Sequence, residues 1–157
     1  MDGLYYIGVW LHIIGAAFWI GGMLFIPLIL LPAIQNNPER AKMLMEAGLK
    51  FRYFGYIVLA ILFVTGLLTM YFRGIPFTWI FFTKSHYGQL LSLKFILFLF
   101  ILLISVLNDL VASKNEKELM QNGDSEGFKN ISIWAGRIIL LISFVMAYLG
   151  VVISRGA

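Results

Sequence analysis

The stretch Leu4–Leu31, LYYIGVWLHIIGAAFWIGGMLFIPLILL, decides the fold. About 20 apolar residues in a helix cross the hydrocarbon core of a bilayer, and this run is longer than that. Its one imidazole, His12, is costly in hydrocarbon unless it has a partner, which makes it the first functional candidate. Helical spacing gathers His12, Gly15, Ala16, Trp19, Gly22 and Met23 on one stripe. Small residues beside a ligand-capable one let a flat group, or another helix, come close to the backbone.

Three further runs reach spanning length: Phe54–Phe72, Gly88–Val111 and Ile131–Ser154. The chain is 157 residues long, 61% hydrophobic and only 13% charged, and the segments between runs are too short for a soluble domain. It therefore reads as one integral membrane domain over residues 1–157. The expected fold is all-α, a four-helix bundle running up-down-up-down, with Gly55, Gly66, Gly136 and Gly150 suited to close helix contacts.

The connections are read the same way. Pro27 and Pro32 should kink or end the first helix. Asn37-Pro38-Glu39 reads as a helix start, and Ala41–Phe51 as an interfacial extension running into the second span. Pro76–Phe82 is aromatic but too short to span, so it is expected to form a short interfacial helix. Ser113–Lys129, polar and glycine-containing, reads as a solvated loop.

Net charge is +4 with the basic residues spread over loops, which gives nucleic acid binding no support. The absence of cysteine excludes disulfides, thiolate metal sites, iron–sulfur clusters and covalent c-type haem attachment. The first run lacks a basic leader and is too long for a signal peptide, so it is expected to be retained. Arg40, Lys42, Lys50, Arg52, Lys114, Lys117 and Lys129 flank loops one and three, against Arg73, Lys84 and Arg155 on the opposite side. That imbalance predicts a bacterial inner (plasma) membrane protein with loops one and three in the cytoplasm and both termini outside.

His12 lies about 12 Å below the start of the first run, and Lys94 about 9 Å below Gly88, where the third begins from the same side. Lysine is long enough to snorkel and could neutralise a carboxylate such as a haem propionate. Met70, Met146 and Tyr148 fall in the same half of the membrane, and a thioether is a soft ligand for haem iron or Cu(I). His86, the second histidine, stands at the mouth of the third run on the face of His12. Asp109 and Arg137, on consecutive helices, are expected to pair.

Two stretches carry a likeness to a known family. Leu11–Phe25 resembles the first helix of copper resistance D (CopD) type membrane domains. Thr83–Asn108, with Tyr87-Gly88-Gln89-Leu90-Leu91-Ser92-Leu93-Lys94 at its core, resembles their lysine-bearing helix. The His–Trp–Gly spacing, Lys94 and Arg137 also resemble HemJ-type protoporphyrinogen oxidases. The first branch implies copper handling, the second b-type haem and oxidation of protoporphyrinogen. Where the HemJ pattern has an arginine and histidine after Leu24-Phe25, this chain has Ile26-Pro27-Leu28, and Asn108 replaces another histidine, so the CopD-like branch fits better.

The residues then lead to a membrane-embedded b-type haem protein moving electrons, with His12 as axial ligand and His86, a methionine or nothing in the sixth position. Lys94 would meet a propionate, with Gly15, Trp19, Gly22 and Tyr148 about the ring; a haem-dependent oxidoreductase activity stays open. The rival is a copper-binding or copper-transport protein using His12 with Met23, Met70 or Met146, with His86 as the other metal candidate. A cofactor-free structural or assembly subunit is the third reading. The bilayer is the expected partner; a redox partner is unspecified, and a second copy of the chain is open as a source of a ligand in trans.

Overall fold

The computed structural model describes residues 2–122 and 126–155, and every regular element among them is helical. In chain order these are α1 (Asp2–Phe25), α2 (Leu31–Ala33), α3 (Arg40–Phe72), α4 (Trp79–Lys84), α5 (His86–Asn122) and α6 (Glu126–Ser154). Four stretches are long and apolar enough to cross a membrane: Gly3–Ala33, Lys42–Phe72, His86–Leu110 and Ile133–Ser154. Their outward residues are apolar as well. Ile13 is 62% exposed, Leu99 62% and Leu141 65%, a surface that suits acyl chains and not water. The all-α, four-span expectation holds, and the protein is a multi-pass membrane protein.

The chain divides into two compact units, one ending at Pro76 and one beginning at Phe77. In the first, α1 and α3 pack antiparallel. Lipid offers no hydrophobic drive between helices, so close packing of small against large residues holds them. The Trp19 ring lies over Gly55 and the Phe51 ring over Gly22, with Trp19 and Phe51 themselves stacked at 5.9 Å. Leu59, Thr65 and Met70 complete the buried face of α3.

Pro27 does not end the first span. The chain from Ile26 to Leu30 winds as a single π-helical turn, and the Leu31 N–H donates to the Ile26 carbonyl. A wider turn makes room for a ring that would otherwise strike the preceding carbonyl. The helix stops at Ala33, just after Pro32. The Asn37 Oδ1 accepts the Glu39 N–H at 2.8 Å in the turn ahead of α3. The helix starts later than expected: it begins at Arg40 with Glu39 at the N-cap and no side-chain cap, and runs unbroken through the amphipathic extension into the span. Gly74, at φ +67°, closes α3: its own N–H donates to Tyr71 and the Ile75 N–H to Met70.

In the second unit α5 and α6 form the long pair. Their contact face follows a heptad-like pattern: Leu91, Phe98 and Ile101 on α5, and Ile139, Ser143, Leu149 and Ile153 on α6 are buried. A short helix follows Pro76 as expected, shifted to Trp79–Lys84, and forms α4. The expected loop Ser113–Lys129 is not a loop: α5 continues to Asn122 and α6 begins at Glu126, with 123–125 outside the described residues. Lysine, glutamate, leucine, methionine and glutamine populate that segment, and all are good helix formers. Polarity there marks solvent and not coil.

Candidate functional site

His12 is held by the opposite helix. Its Nδ1 lies 2.9 Å from the Thr65 hydroxyl oxygen, and that hydroxyl lies 2.7 Å from the Ile61 carbonyl one turn back. The Thr65 hydroxyl has one proton. If it went to His12, the 2.7 Å contact would set two oxygens together with no hydrogen between them. Both contacts become hydrogen bonds only when Thr65 donates to Ile61 and accepts from the Nδ1–H of His12. The proton assignment follows from this network. It puts a proton on Nδ1 and fixes the orientation of the ring against α3.

Thr65 is 4% exposed, so this bond is shielded from competing donors. Beside it, Gly66 leaves room for the imidazole: a Cβ there would stand 3.5 Å from the His12 Cε1. Met70 is buried in the same helix pair, and the register set by Tyr5–Arg73 and His12–Thr65 places it level with Gly8, about one turn from His12.

The glycine stripe beside His12 faces α3. A Cβ at Gly15 would press on the Leu62 side chain at 3.1 Å, one at Gly22 would enter the Phe51 ring, and Trp19 is buried over Gly55. Of the two uses foreseen for small residues here, approach of another helix is the one these positions serve.

In the second unit Lys94 is half-buried on the α5 face turned to α6, and Gly150 receives its ammonium: a Cβ at Gly150 would stand 3.4 Å from Nζ. Met146 is half-buried, while Tyr148 is 69% exposed and turned away from the helix pair. His86 is exposed at the first turn of α5. Arg137 does not pair with Asp109. Its guanidinium lies over the Trp134 ring at 5.2 Å, a neighbour one turn away on its own helix that offers an interfacial cation a π face without desolvating a carboxylate.

The Tyr87–Lys94 motif has a local structural use that its spacing alone did not reveal. Ser85 breaks the chain between α4 and α5, donating to the Phe81 carbonyl at 2.7 Å and accepting the Gly88 N–H at 2.9 Å, as a helix cap does. The Gln89 amide donates to the Thr83 carbonyl at 2.9 Å, and Ser92 reaches the Phe82 carbonyl at 3.3 Å. A Cβ at Gly88 would collide with the Phe81 carbonyl, so no other residue fits there without shifting backbone. A serine three residues ahead of a glycine, after an aromatic run, was the available signal.

Among the described residues no three His, Cys, Asp or Glu side chains gather to hold a metal ion. No protein-family profile and no solved structure matches the chain. A protein of Aquifex aeolicus (strain VF5), described as uncharacterized, is 33% identical to it over 150 residues, 94% of each chain. Similarity of that extent means one shared set of spans and loops, and the chain belongs to the same family as this Aquifex aeolicus protein.

Proposed function

We propose that the protein binds b-type haem in the membrane as a redox or electron-transfer protein, with His12 as an axial ligand. The observation that carries the reading is the chain from His12 through Thr65 to the Ile61 carbonyl. Metal-bound histidines characteristically give their second nitrogen's proton to such an acceptor, which sets tautomer and ring orientation. The donor set suits a haem better than a bare ion. A macrocycle brings four nitrogens of its own and needs only axial ligation, whereas copper would need several ligands from the chain.

Met23 lies eleven residues from His12, about 16 Å along α1, too far to share an ion with it. Bound haem would supply one-electron chemistry. The chain's part is to orient His12 through Thr65, hold the ring against rotation, and keep water out with the apolar faces of α1 and α3.

The test is a visible absorption spectrum of detergent-purified protein produced with haem available, oxidised and then dithionite-reduced, with copper quantified on the same sample. A Soret band with a sharp reduced α-band, both lost in His12→Ala, is the expected result. A colourless sample with copper at unit stoichiometry would replace haem by copper. A colourless, metal-free sample would end both readings in favour of a structural subunit.

A further inference from the structure

Lys94 is a cation in an apolar interface with no anion of its own. Leu91 and Phe98, one turn to either side of it on α5, are both buried. Its ammonium rests at Gly150, four residues before the end of α6, about 6 Å below that end. No hydrogen-bond or ion-pair partner for it is present among the described residues. No buried side-chain nitrogen or oxygen among them lacks a partner either, so Nζ, which has none, is not fully enclosed by the protein.

The sequence explains the missing partner. No Asp or Glu occurs between Glu46 and Asp109, or after Glu126. Asp109 is fifteen residues further along α5, about 22 Å away. The same end of this unit carries Lys84, His86 and Arg155, all exposed, and no Asp or Glu side chain among the described residues. It also carries α4, whose Trp79 is 82% and Ile80 69% exposed, the pattern of side chains seated at headgroup level.

We propose that the mouth of the α5–α6 pair at Gly150 binds the phosphate of an anionic lipid headgroup, with Lys94 as its counter-charge. Gly150 lets the ammonium lie close to the α6 backbone, where a Cβ would stand 3.4 Å from it. Lys84 and Arg155 raise the local concentration of acidic lipid, and Lys94, between the helices, holds one molecule. This inference does not depend on the haem reading, which concerns α1 and α3.

The experiment is native mass spectrometry of the protein released from vesicles of phosphatidylcholine mixed with phosphatidylglycerol. Wild type is expected to retain one phosphatidylglycerol in preference to phosphatidylcholine. Lys94→Met, close in volume and uncharged, should lose about fivefold of that preference, equivalent to about 1 kcal/mol. Lys94→Arg should keep it. Circular dichroism melts show which variants remain folded, and the Arg variant gives a readout if the Met variant is unstable.

Full preference in folded Lys94→Met overturns the proposal. So does a preference abolished by Lys84→Gln with Arg155→Gln but untouched by Lys94→Met, which would be general surface attraction. Inorganic phosphate should not displace the retained lipid; displacement at millimolar phosphate would assign the position to a free anion and overturn the lipid assignment.

Discussion

The indole of Trp19 lies across the backbone of Gly55, so close that a Cβ at position 55 would stand 2.9 Å from the ring. Trp19 is pinned from the other side by Phe51, which itself fills the space over Gly22. Both rings would have to shift to admit a methyl group, and Trp19 is buried. Gly55→Ala and Gly22→Ala are therefore expected to cost about 1–3 kcal/mol each, as overpacking of a close-fitted interface does.

Gly21, adjacent to Gly22, has nothing within 4 Å of a Cβ position, and Gly21→Ala should change stability by less than about 0.5 kcal/mol. Unfolding in mixed detergent, followed by circular dichroism, separates the two cases. Equal effects at Gly21 and Gly22 would contradict the packing.

Thr65→Val keeps the shape of the side chain and removes the oxygen that accepts the His12 proton. Interhelical hydrogen bonds in membranes average about 0.6 kcal/mol, so the loss of stability should be about that size. The effect on a ligand of His12 should be larger. Loss of such an outer partner costs about 10–100-fold in metal affinity, and Thr65→Ser should restore most of it. Haem titration of the apoprotein, read at the Soret band, measures both. A Thr65→Val protein that binds haem as wild type does would show that the hydrogen bond serves packing alone.

Gly88→Ala places a methyl group against the Phe81 carbonyl, a backbone atom that cannot rotate away. The α4–α5 corner must open, with loss of the Ser85 cap. A cost of about 1–2 kcal/mol is expected. Trp79, on α4, should report the change as a shifted emission maximum in vesicles; an unchanged spectrum and melt would refute the corner's rigidity.

The Arg73–Tyr5 hydrogen bond is exposed and 3.2 Å long. Tyr5→Phe should alter stability by less than about 0.5 kcal/mol in the same unfolding assay. A larger loss would make this contact a clamp.

The four spans were legible because length and hydropathy suffice to define them. The stripe around His12 was legible as a face, but what covers it was not. Gly22 and Gly55 meet rings from a helix about thirty residues away, and the register that brings them together is written in no local pattern. Thr65 is a hydroxyl in an apolar span, but assigning it to His12 needed that same register. Arg137 was misjudged for another reason: an opposite charge across a loop was preferred over Trp134, one turn away on the same helix. Ser113–Lys129 was misread because polarity says where a segment lies and not how its backbone winds.

Trp19 on Gly55, Phe51 on Gly22 and His12 on Thr65 key α1 to α3 at three heights. A slide of one helical turn would bring Trp19 against Phe51 or Leu59 in place of Gly55, and no vacancy exists at either. The pair is thus a lock with one notch. These contacts resist sliding of α1 along α3, and the π-helical turn at Ile26–Leu30 lies beyond the last of them.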